Sequence, residues 1–241
     1  MSSYIPPFIV PDCSQQVSGR VADNEVIVPT SEQVLERLAH GKLIVPNCSE
    51  QLFKEIAHAN PHLRMNLIEG QLELIPVLKE TNKKCLDAKE FDIIGQLYVW
   101  CRANRNLVGQ GGASQGAFRV PNGRGGFNIL GPDASVVLSP RWNAFLANQP
   151  SKRPGEPNYP EVTPNFIIEI RSESDTALDV DRKMNLWMRG GAEGRISIDP
   201  FTNIIRVYTL DVNTNTIIYR EILNCTSATQ IPSQLLPGFV L

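Results

Sequence analysis

Cysteine and histidine are scarce in this chain of 241 residues, and their arrangement excludes the common structural metal sites. The five cysteines are widely scattered and include no Cys-x-x-Cys pair. This argues against a disulfide framework and against a structural zinc site. His58 and His62 have helical spacing, but Pro61 between them disrupts a helix. We therefore expect free thiols in a reducing cytoplasm.

The chain also has no excess of one charge, few aromatic residues and no long apolar run. Its formal net charge is −2, so no overall basic character indicates nucleic acid, although a local basic groove is compatible with this value. Aromatic residues make up only 7% of the chain, which argues against a sugar-cleaving pair of carboxylates. The apolar patch 4–11 contains three prolines and no basic segment precedes it, so we predict neither a signal peptide nor a membrane span.

Hydrophobic residues make up 42% of the chain, enough for one sizeable core with an appended segment. We predict an N-terminal extension over residues 1–48 and an α/β domain over residues 49–241. Two short helices are predicted at Ser31–His40 and Ser49–Ala59, because each begins with the pattern Ser-Glu-Gln-(Val/Leu), in which the serine can cap the helix.

Periodicity predicts the remaining elements. Residues 63–77 alternate around Glu69-Gly70, as in a β-hairpin, and residues 87–106 have the spacing of an amphipathic helix. The run GQGGASQG lacks the Gly-Lys-Ser/Thr of a phosphate loop and is predicted to be a flexible hairpin turn. The apolar stripe predicted for the helix consists of Phe91, Ile94, Leu97, Tyr98 and Cys101. The later predicted elements are strands at 133–138, 166–171, 195–198, 204–210 and 216–221 and helices at 142–147 and 178–190. Together they predict a mixed central sheet flanked by helices.

The segment Pro164–Ser172 is the most informative, because a carboxylate interrupts an apolar β-run. The branched and aromatic residues around Glu169 are typical of a strand buried on both faces. An ionised carboxylate there would cost on the order of 2–7 kcal/mol or more unless a cation or hydrogen bonds satisfy it. Alternation places Arg171 on the same face. The pattern leaves open whether Arg171 or a metal ion supplies the positive charge.

Two further residues point to the same place. Asp133 opens a strand directly after Pro132. Lys183 lies in a helix stripe that should face the sheet and is otherwise apolar, with Val180, Met184 and Trp187. The long lysine stem lets its ammonium reach a carboxylate cluster. Two carboxylates with a carbonyl and waters are the oxygen ligands that Mg²⁺ prefers. Such a metal stabilises charge that develops on a phosphate, and a nearby lysine orients the nucleophile.

The ordered motifs in this region resemble those of a known family. The blocks PDASVV, RW, PNFIIEIRSESD, DRKM, GGAEGRISIDP and IIRVY follow one another between residues 132 and 208. They resemble the PD-(D/E)xK nuclease signature and, more closely, the Uma-two family of restriction-endonuclease-like proteins. The resemblance covers about residues 49–215.

This resemblance implies a restriction-endonuclease-like α/β fold and a Mg²⁺-dependent DNA endonuclease, with Mn²⁺ as the alternative metal. It also implies that Asp133, Glu169 and the carbonyl of Ile170 bind the metal. Lys183 would then be the catalytic lysine, and we expect Arg171 to contact substrate phosphate. Cutting both DNA strands favours two active sites related by a two-fold axis, so we expect a homodimer.

Each of these residues also has a structural interpretation. Asp133 could be a turn residue at a strand edge, as Pro-Asp often is. Glu169 could form a structural ion pair with Arg171 or Lys183, and buried pairs of this kind add little net stability. Lys183 could instead pair with Asp179, one helical turn earlier.

The alternative function is a nuclease-like fold that binds nucleic acid or a protein partner without cutting. Arg171 motivates it, since it stands where many nucleases have a lysine and cannot lose a proton as a lysine can. Asn66 motivates it too, because an acid is common at this place in the family. Asp199, which precedes Pro200, is predicted to end a strand and cap a turn.

Overall fold

The structure is a computed structural model that describes residues 42–61, 63–75, 84–114, 116–149, 159–211, 214, 216–226 and 229–241. These residues divide into two compact units. One contains residues 42–75, and the other contains the described residues of 84–149 and 159–241. The boundary predicted after residue 48 stays a prediction, and the helix predicted at Ser31–His40 lies outside the described residues.

The first unit is a small antiparallel sheet with one helix. Its elements are β1 (Leu43–Val45), α1 (Glu50–Ala59), β2 (Arg64–Ile68) and β3 (Gln71–Ile75). Strand β3 pairs with both β1 and β2. Glu69 and Gly70 have φ of 51° and 79°, as a two-residue hairpin turn with both central residues at positive φ requires, so the predicted hairpin is confirmed. The hydroxyl of Ser49 accepts a hydrogen bond from the N–H of Leu52 (3.1 Å) and caps α1 as predicted.

The second unit is built on a six-stranded sheet. Its helices are α2 (Lys84–Ala103), α3 (Ser139–Ala147) and α4 (Ala177–Arg189). Its strands are β4 (Val108–Ala113), β5 (Phe118–Pro121), β6 (Phe127–Leu130), β7 (Ala134–Leu138), β8 (Phe166–Ile170), β9 (Gly194–Asp199), β10 (Ile204–Asp211) and β11 (Thr216–Ile222). The sheet order is β11-β10-β9-β8-β7-β4, and β5 and β6 form a hairpin outside this sheet. The pair β8–β9 is parallel and the other pairs are antiparallel, which confirms the predicted mixed α/β class.

One face of the six-stranded sheet is apolar and carries a hydrophobic core. Helix α2 and the C-terminal segment after residue 229 pack against it. Burial of each large apolar side chain contributes roughly 1.5–3 kcal/mol, so this core contributes strongly to the stability of the unit. The buried residues are Ile93, Leu97, Trp100, Ala134, Val136, Phe166, Ile168, Ile196, Ile231, Leu236 and Phe239.

The opposite face of the sheet is covered by α4, which lies against β8 and β9. Val180, Met184 and Trp187 are buried there, at the spacing predicted from the sequence. Lys183 belongs to the same stripe, so the expectation that a lysine side chain points at the sheet is confirmed. Among the described residues, no helix is both long and apolar enough to cross a membrane.

The buried face of α2 differs from the predicted stripe. Leu97 is buried as expected, together with Ile93 and Trp100, but Phe91 is 76% exposed and Tyr98 is 60% exposed. Ile94 and Cys101 of the predicted stripe are partly buried against the same core, so the prediction is correct for part of the stripe and wrong for Phe91 and Tyr98. Helical period alone does not fix how far the helix is turned on the sheet. That rotation depends on the C-terminal segment, whose backbone accepts a hydrogen bond from the indole of Trp100.

The glycine-rich run is also different from the prediction, because its first half is a strand. Residues 108–113 form β4 and pair with β7. The glycines make room for neighbouring side chains: a Cβ on Gly109 would lie 2.2 Å from Cβ of Trp142, and one on Gly112 would lie 2.8 Å from Oγ of Ser135. Residues 109–113 of the run therefore belong to a strand whose glycines allow close packing, and they are not part of a flexible turn.

Two glycines outside this run offer a matched test of how closely a helix packs on its neighbour. A Cβ on Gly190, at the end of α4, would lie 2.1 Å from Cγ1 of Val120, whereas one on Gly95 in α2 would meet no atom within 4 Å. We expect Gly190→Ala to destabilise the protein by about 1–3 kcal/mol through overpacking. Gly95→Ala should stabilise it by about 0.5–1 kcal/mol because alanine favours the helix. Urea unfolding measures both, and equal effects of the two variants would contradict the packing described.

Candidate active site

Glu169 lies in β8 and is held by two side chains of α4. It is only 2% exposed. Its Oε2 accepts a hydrogen bond from Nζ of Lys183 at 2.6 Å, and its Oε1 accepts one from Nε1 of Trp187 at 2.7 Å. The cation that the buried carboxylate requires is therefore supplied by Lys183 in this structure.

The start of α4 explains why Lys183 reaches Glu169. Thr176 and Asp179 form a capping box, in which each side chain accepts a hydrogen bond from the other residue's backbone N–H (3.2 and 2.9 Å). This cap sets where the helix begins, and Lys183 and Trp187 then lie one turn apart on the face toward the sheet. The carboxylate of Asp179 serves the cap, so the structure favours Glu169 as the partner of Lys183.

Asp133 lies beside Glu169 at the end of the β7–β8 ladder. Ala134 pairs with Ile168, so continuing this antiparallel register by one residue places Asp133 opposite Glu169. Asp133 is 6% exposed, and its Oδ2 accepts a hydrogen bond from the backbone N–H of Ile170 at 2.6 Å. The side chain thus replaces the backbone carbonyl that a longer β7 would have supplied.

The chemistry of these donors fits a magnesium ion. Asp133 and Glu169 offer hard carboxylate oxygens, and an ionised carboxylate can accept several bonds at once. The carbonyl of Ile170 leaves β8 on the same edge as its N–H, which is the edge bonded to Asp133. The set proposed from the sequence is therefore drawn from neighbouring parts of β7 and β8. No group of three or more His, Cys, Asp or Glu side chains that could hold a metal occurs in the described residues, so the proposed set consists of two carboxylates and a backbone carbonyl.

Arg171 does not serve as the partner of Glu169. It follows the last residue of β8, its Nε lies 3.0 Å from Oδ2 of Asp199, and its guanidinium lies 4.5 Å from the centre of the Phe201 ring. Asp199 ends β9, and its other oxygen accepts hydrogen bonds from the backbone of Phe201 and Thr202. The prediction that Asp199 ends a strand and caps a turn is therefore confirmed.

The surroundings hold the pKa of Asp199 below its usual value. Burial alone works to raise the pKa, but hydrogen bonds from Thr202, Arg171 and Phe201 favour the ionised form and outweigh it. A carboxylate held in this way keeps Arg171 oriented at the end of the sheet, next to the strand that bears Glu169.

A second polar network continues from Glu169 along the same face of the sheet. Ser197 is the register partner of Glu169 in β9, and its hydroxyl lies 3.0 Å from the hydroxyl of Tyr208 in β10. Tyr208 donates a hydrogen bond to Asp181 of α4 at 2.5 Å, and Arg206 lies 3.3 Å from the same carboxylate oxygen. Burial, and next the bond to Asp181, raise the pKa of Tyr208, so its hydroxyl remains a donor. Through Asp181, which lies two residues before Lys183, the network anchors α4 to the sheet.

Arg141, from the motif Arg-Trp, has a structural role. Its guanidinium donates to the carbonyls of Thr163 and Gly191 and to Oε1 of Glu193 at 2.6 Å. Asn165 donates to the same oxygen and accepts the N–H of residue 138 at the end of β7. These bonds hold together the segments that lead into β8 and β9.

The part of the chain that carries this cluster matches a known protein family. The family model described as "Uma2: Putative restriction endonuclease" matches residues 50–241. The chain belongs to this family. Among solved structures, this Uma2-family protein is similar to "a putative nuclease belonging to DUF820 from Anabaena variabilis". The identity is 17% and the TM-score 0.49, over 70% of this chain and 80% of the other. No curated protein matches the chain.

The family match agrees with the resemblance inferred from the motifs. It spans Asp133, Glu169, Ile170, Arg171 and Lys183, which are the residues assigned to the site. Their roles in metal binding and catalysis stay predictions. In this Uma2-family protein the structure brings Glu169 and Lys183 into contact, bonds Asp133 to the backbone beside them, and directs Arg171 to a different acid.

Trp187 and Ser197 are the residues of this cluster that sequence reasoning missed. Trp187 was assigned only to the apolar stripe of α4. A signal was available, since a buried indole N–H usually needs an acceptor and Trp187 lies four residues after Lys183. For Ser197 the signal depended on the parallel register of β8 and β9, which no local pattern gives.

The ion pair at the site should matter more for stability than an exposed pair. Lys183→Met leaves the buried carboxylate of Glu169 without its cation, and we expect a loss of about 3–5 kcal/mol. Lys54→Met removes the more exposed pair with Glu50 in α1 and should cost less than about 1 kcal/mol. Urea unfolding of both variants measures the difference. Similar losses would show that the buried pair is not formed in solution.

Asp199 should make the protein sensitive to acid. Its folded-state pKa is lowered, so its stabilising contribution is complete above the unfolded pKa of about 3.9 and is lost as the pH falls through the folded pKa. Asp199→Asn should therefore lower stability at pH 6 and flatten the loss below about pH 4. Urea midpoints across this range test it, with Asp92→Asn, which replaces an exposed acid of α2, as the control. A steeper acid loss in the Asp199→Asn variant than in the control would contradict the assignment.

Proposed function

We propose that this Uma2-family protein is a Mg²⁺-dependent endonuclease that hydrolyses phosphodiester bonds in DNA, with Mn²⁺ as an alternative metal. The family membership supports a nuclease. The observation that carries the finer proposal is the placement of two buried acids at the end of the β7–β8 ladder: Asp133 bonds the N–H of Ile170, and the preceding residue, Glu169, bonds Lys183. Buried acids are costly unless they are satisfied, and satisfied clusters of this kind occur most often where function requires them.

Asp133, Glu169 and the Ile170 carbonyl are the residues that would hold the metal. When bound, the ion would supply a Lewis acid that stabilises the charge developing on the phosphate. Oxygen donors from two adjacent strands suit this ion, since the sheet holds the strands at a fixed separation. Asp133 is oriented by the N–H of Ile170, and Glu169 is oriented by its bonds to α4.

Lys183 is proposed as the catalytic lysine. Its ammonium has three N–H donors, so it can orient an attacking water while it remains bonded to Glu169. Attack of the water oxygen on phosphorus forms one P–O bond and breaks the bond to the leaving sugar oxygen, which takes up a proton. The lysine also offsets negative charge on the phosphate, and this effect is large in a site shielded from water.

Arg171 is proposed as a substrate contact beside these residues. Its guanidinium is placed by Asp199 and by the ring of Phe201. A guanidinium suits phosphate recognition because it remains charged and presents several donors. We further propose a homodimer, so that two such sites face the two strands of DNA, and a cytoplasmic location in keeping with the scattered thiols.

The direct test is cleavage of plasmid DNA by the purified protein with Mg²⁺ or Mn²⁺. We expect Asp133→Ala and Glu169→Gln to lower the cleavage rate by at least about 100-fold, because each removes a group that stabilises the transition state. Glu221→Gln is the matched control. Glu221 lies in β11, at the far edge of the sheet, and pairs with Arg206 of the neighbouring strand β10. It should leave the rate unchanged.

A calorimetric Mg²⁺ titration separates this proposal from its alternative. A nuclease should bind the metal and lose that binding in Glu169→Gln. If the unmodified protein and Asp133→Ala are equally inert across metals and DNA substrates, the catalytic proposal fails. Retained DNA binding by such an inert protein would instead favour a nuclease fold that binds nucleic acid without cutting.

A further inference from the structure

Trp187 donates a hydrogen bond to Glu169 from a fully buried position. The indole Nε1 lies 2.7 Å from Oε1 of Glu169, and Trp187 is 0% exposed. Lys183, one helical turn earlier, bonds the other oxygen at 2.6 Å. Both oxygens of the acid are therefore held by donors from a single helix.

The direction of the indole N–H is fixed by its surroundings. The Trp187 ring makes an edge-to-face contact with Phe118 of β5, with centroids 6.4 Å apart and planes at 74°. The helix that bears it is anchored at its start by the capping box of Thr176 and further along by the bond between Asp181 and Tyr208. The indole cannot turn without disrupting this packing, since buried side chains occupy close-packed rotamers.

We infer that Trp187 is a positioning residue for the metal ligand Glu169. A carboxylate on a glutamate stem can rotate about its terminal torsion, which has a broad energy profile. A lysine alone restrains one oxygen only weakly, because its flexible four-carbon stem can follow that oxygen as the carboxylate turns. The rigid indole restrains the second oxygen, so that the carboxylate keeps one plane relative to Asp133 and the Ile170 carbonyl on the adjoining edge. Groups that orient metal ligands in this way usually affect affinity strongly.

This inference rests on the proposed function, and Trp100 separates positioning from a merely structural bond. Trp100 in α2 is also buried, and its Nε1 donates to the backbone carbonyl of Pro237 at 2.9 Å, on the opposite face of the sheet. Trp187→Phe and Trp100→Phe therefore remove the same group from the same kind of environment. Only the first removes a donor from Glu169.

The test is Mn²⁺ and Mg²⁺ affinity by calorimetry, together with urea unfolding. We expect Trp187→Phe to weaken metal binding by about 10–100-fold, as loss of a group that orients a ligand does. Trp100→Phe should bind the metal as the unmodified protein does, although both variants lose stability. Unchanged affinity in Trp187→Phe would overturn the inference while leaving the proposed function standing. Absence of metal binding by the unmodified protein would overturn the proposed function itself.

A second measurement tests the bond without metal and without altering Trp187. The indole N–H signals of the three tryptophans can be followed by ¹H–¹⁵N NMR, with Trp100 and Trp142 assigned from their Phe variants and Trp187 identified as the remaining signal. Glu169→Gln replaces a carboxylate acceptor with an amide, so the Trp187 signal should move and its exchange with solvent should speed up. The Trp100 signal should stay in place. A Trp187 signal that stays unchanged in Glu169→Gln would overturn the inference, and this result does not depend on whether any variant of Trp187 folds.

Discussion

The burial of the Glu169 carboxylate is the constraint on which the second unit of this protein depends. A charge inside an apolar sheet costs several kcal/mol unless it is paired and hydrogen-bonded. The protein meets this cost with an ammonium and an indole N–H, both supplied by α4. The helix must therefore dock with its Lys183–Trp187 face on β8. The capping box and the contact of Asp181 with Tyr208 favour the same docking.

The two faces of the six-stranded sheet differ in the polarity of their buried side chains. The residues buried on the face under α2 are apolar and form a hydrophobic core. The face under α4 carries Glu169, Ser197 and Tyr208 on successive strands, and each of them bonds another polar group. A polar face of this kind is stable only when its members are satisfied. The acids of the proposed metal site occupy the end of this face, where the ladder between β7 and β8 stops and an N–H of β8 becomes available to Asp133.

Local patterns predicted much of this arrangement. The hairpin at Glu69-Gly70, the helix capped by Ser49 and the late strands follow from turn chemistry, a capping residue and period, which act between near neighbours. The errors have a common cause. The buried face of α2 and the strand character of the glycine-rich run depend on distant partners, namely the C-terminal segment and β7. Short apolar or glycine-rich patterns are compatible with more than one such partner.

The sequence by itself determined that a carboxylate would be buried in β8, that a lysine on the next helix would face it, and that the chain belongs among nuclease-like proteins. Those conclusions need only side-chain chemistry, period and motif order. Only the tertiary structure decided which cation serves Glu169, because Arg171 and Lys183 are both within reach along the chain. It also revealed Trp187 as the second donor and Asp133 as the residue bonded to Ile170. These contacts depend on strand register and on the rotation of α4, which are set when the helix packs on the sheet.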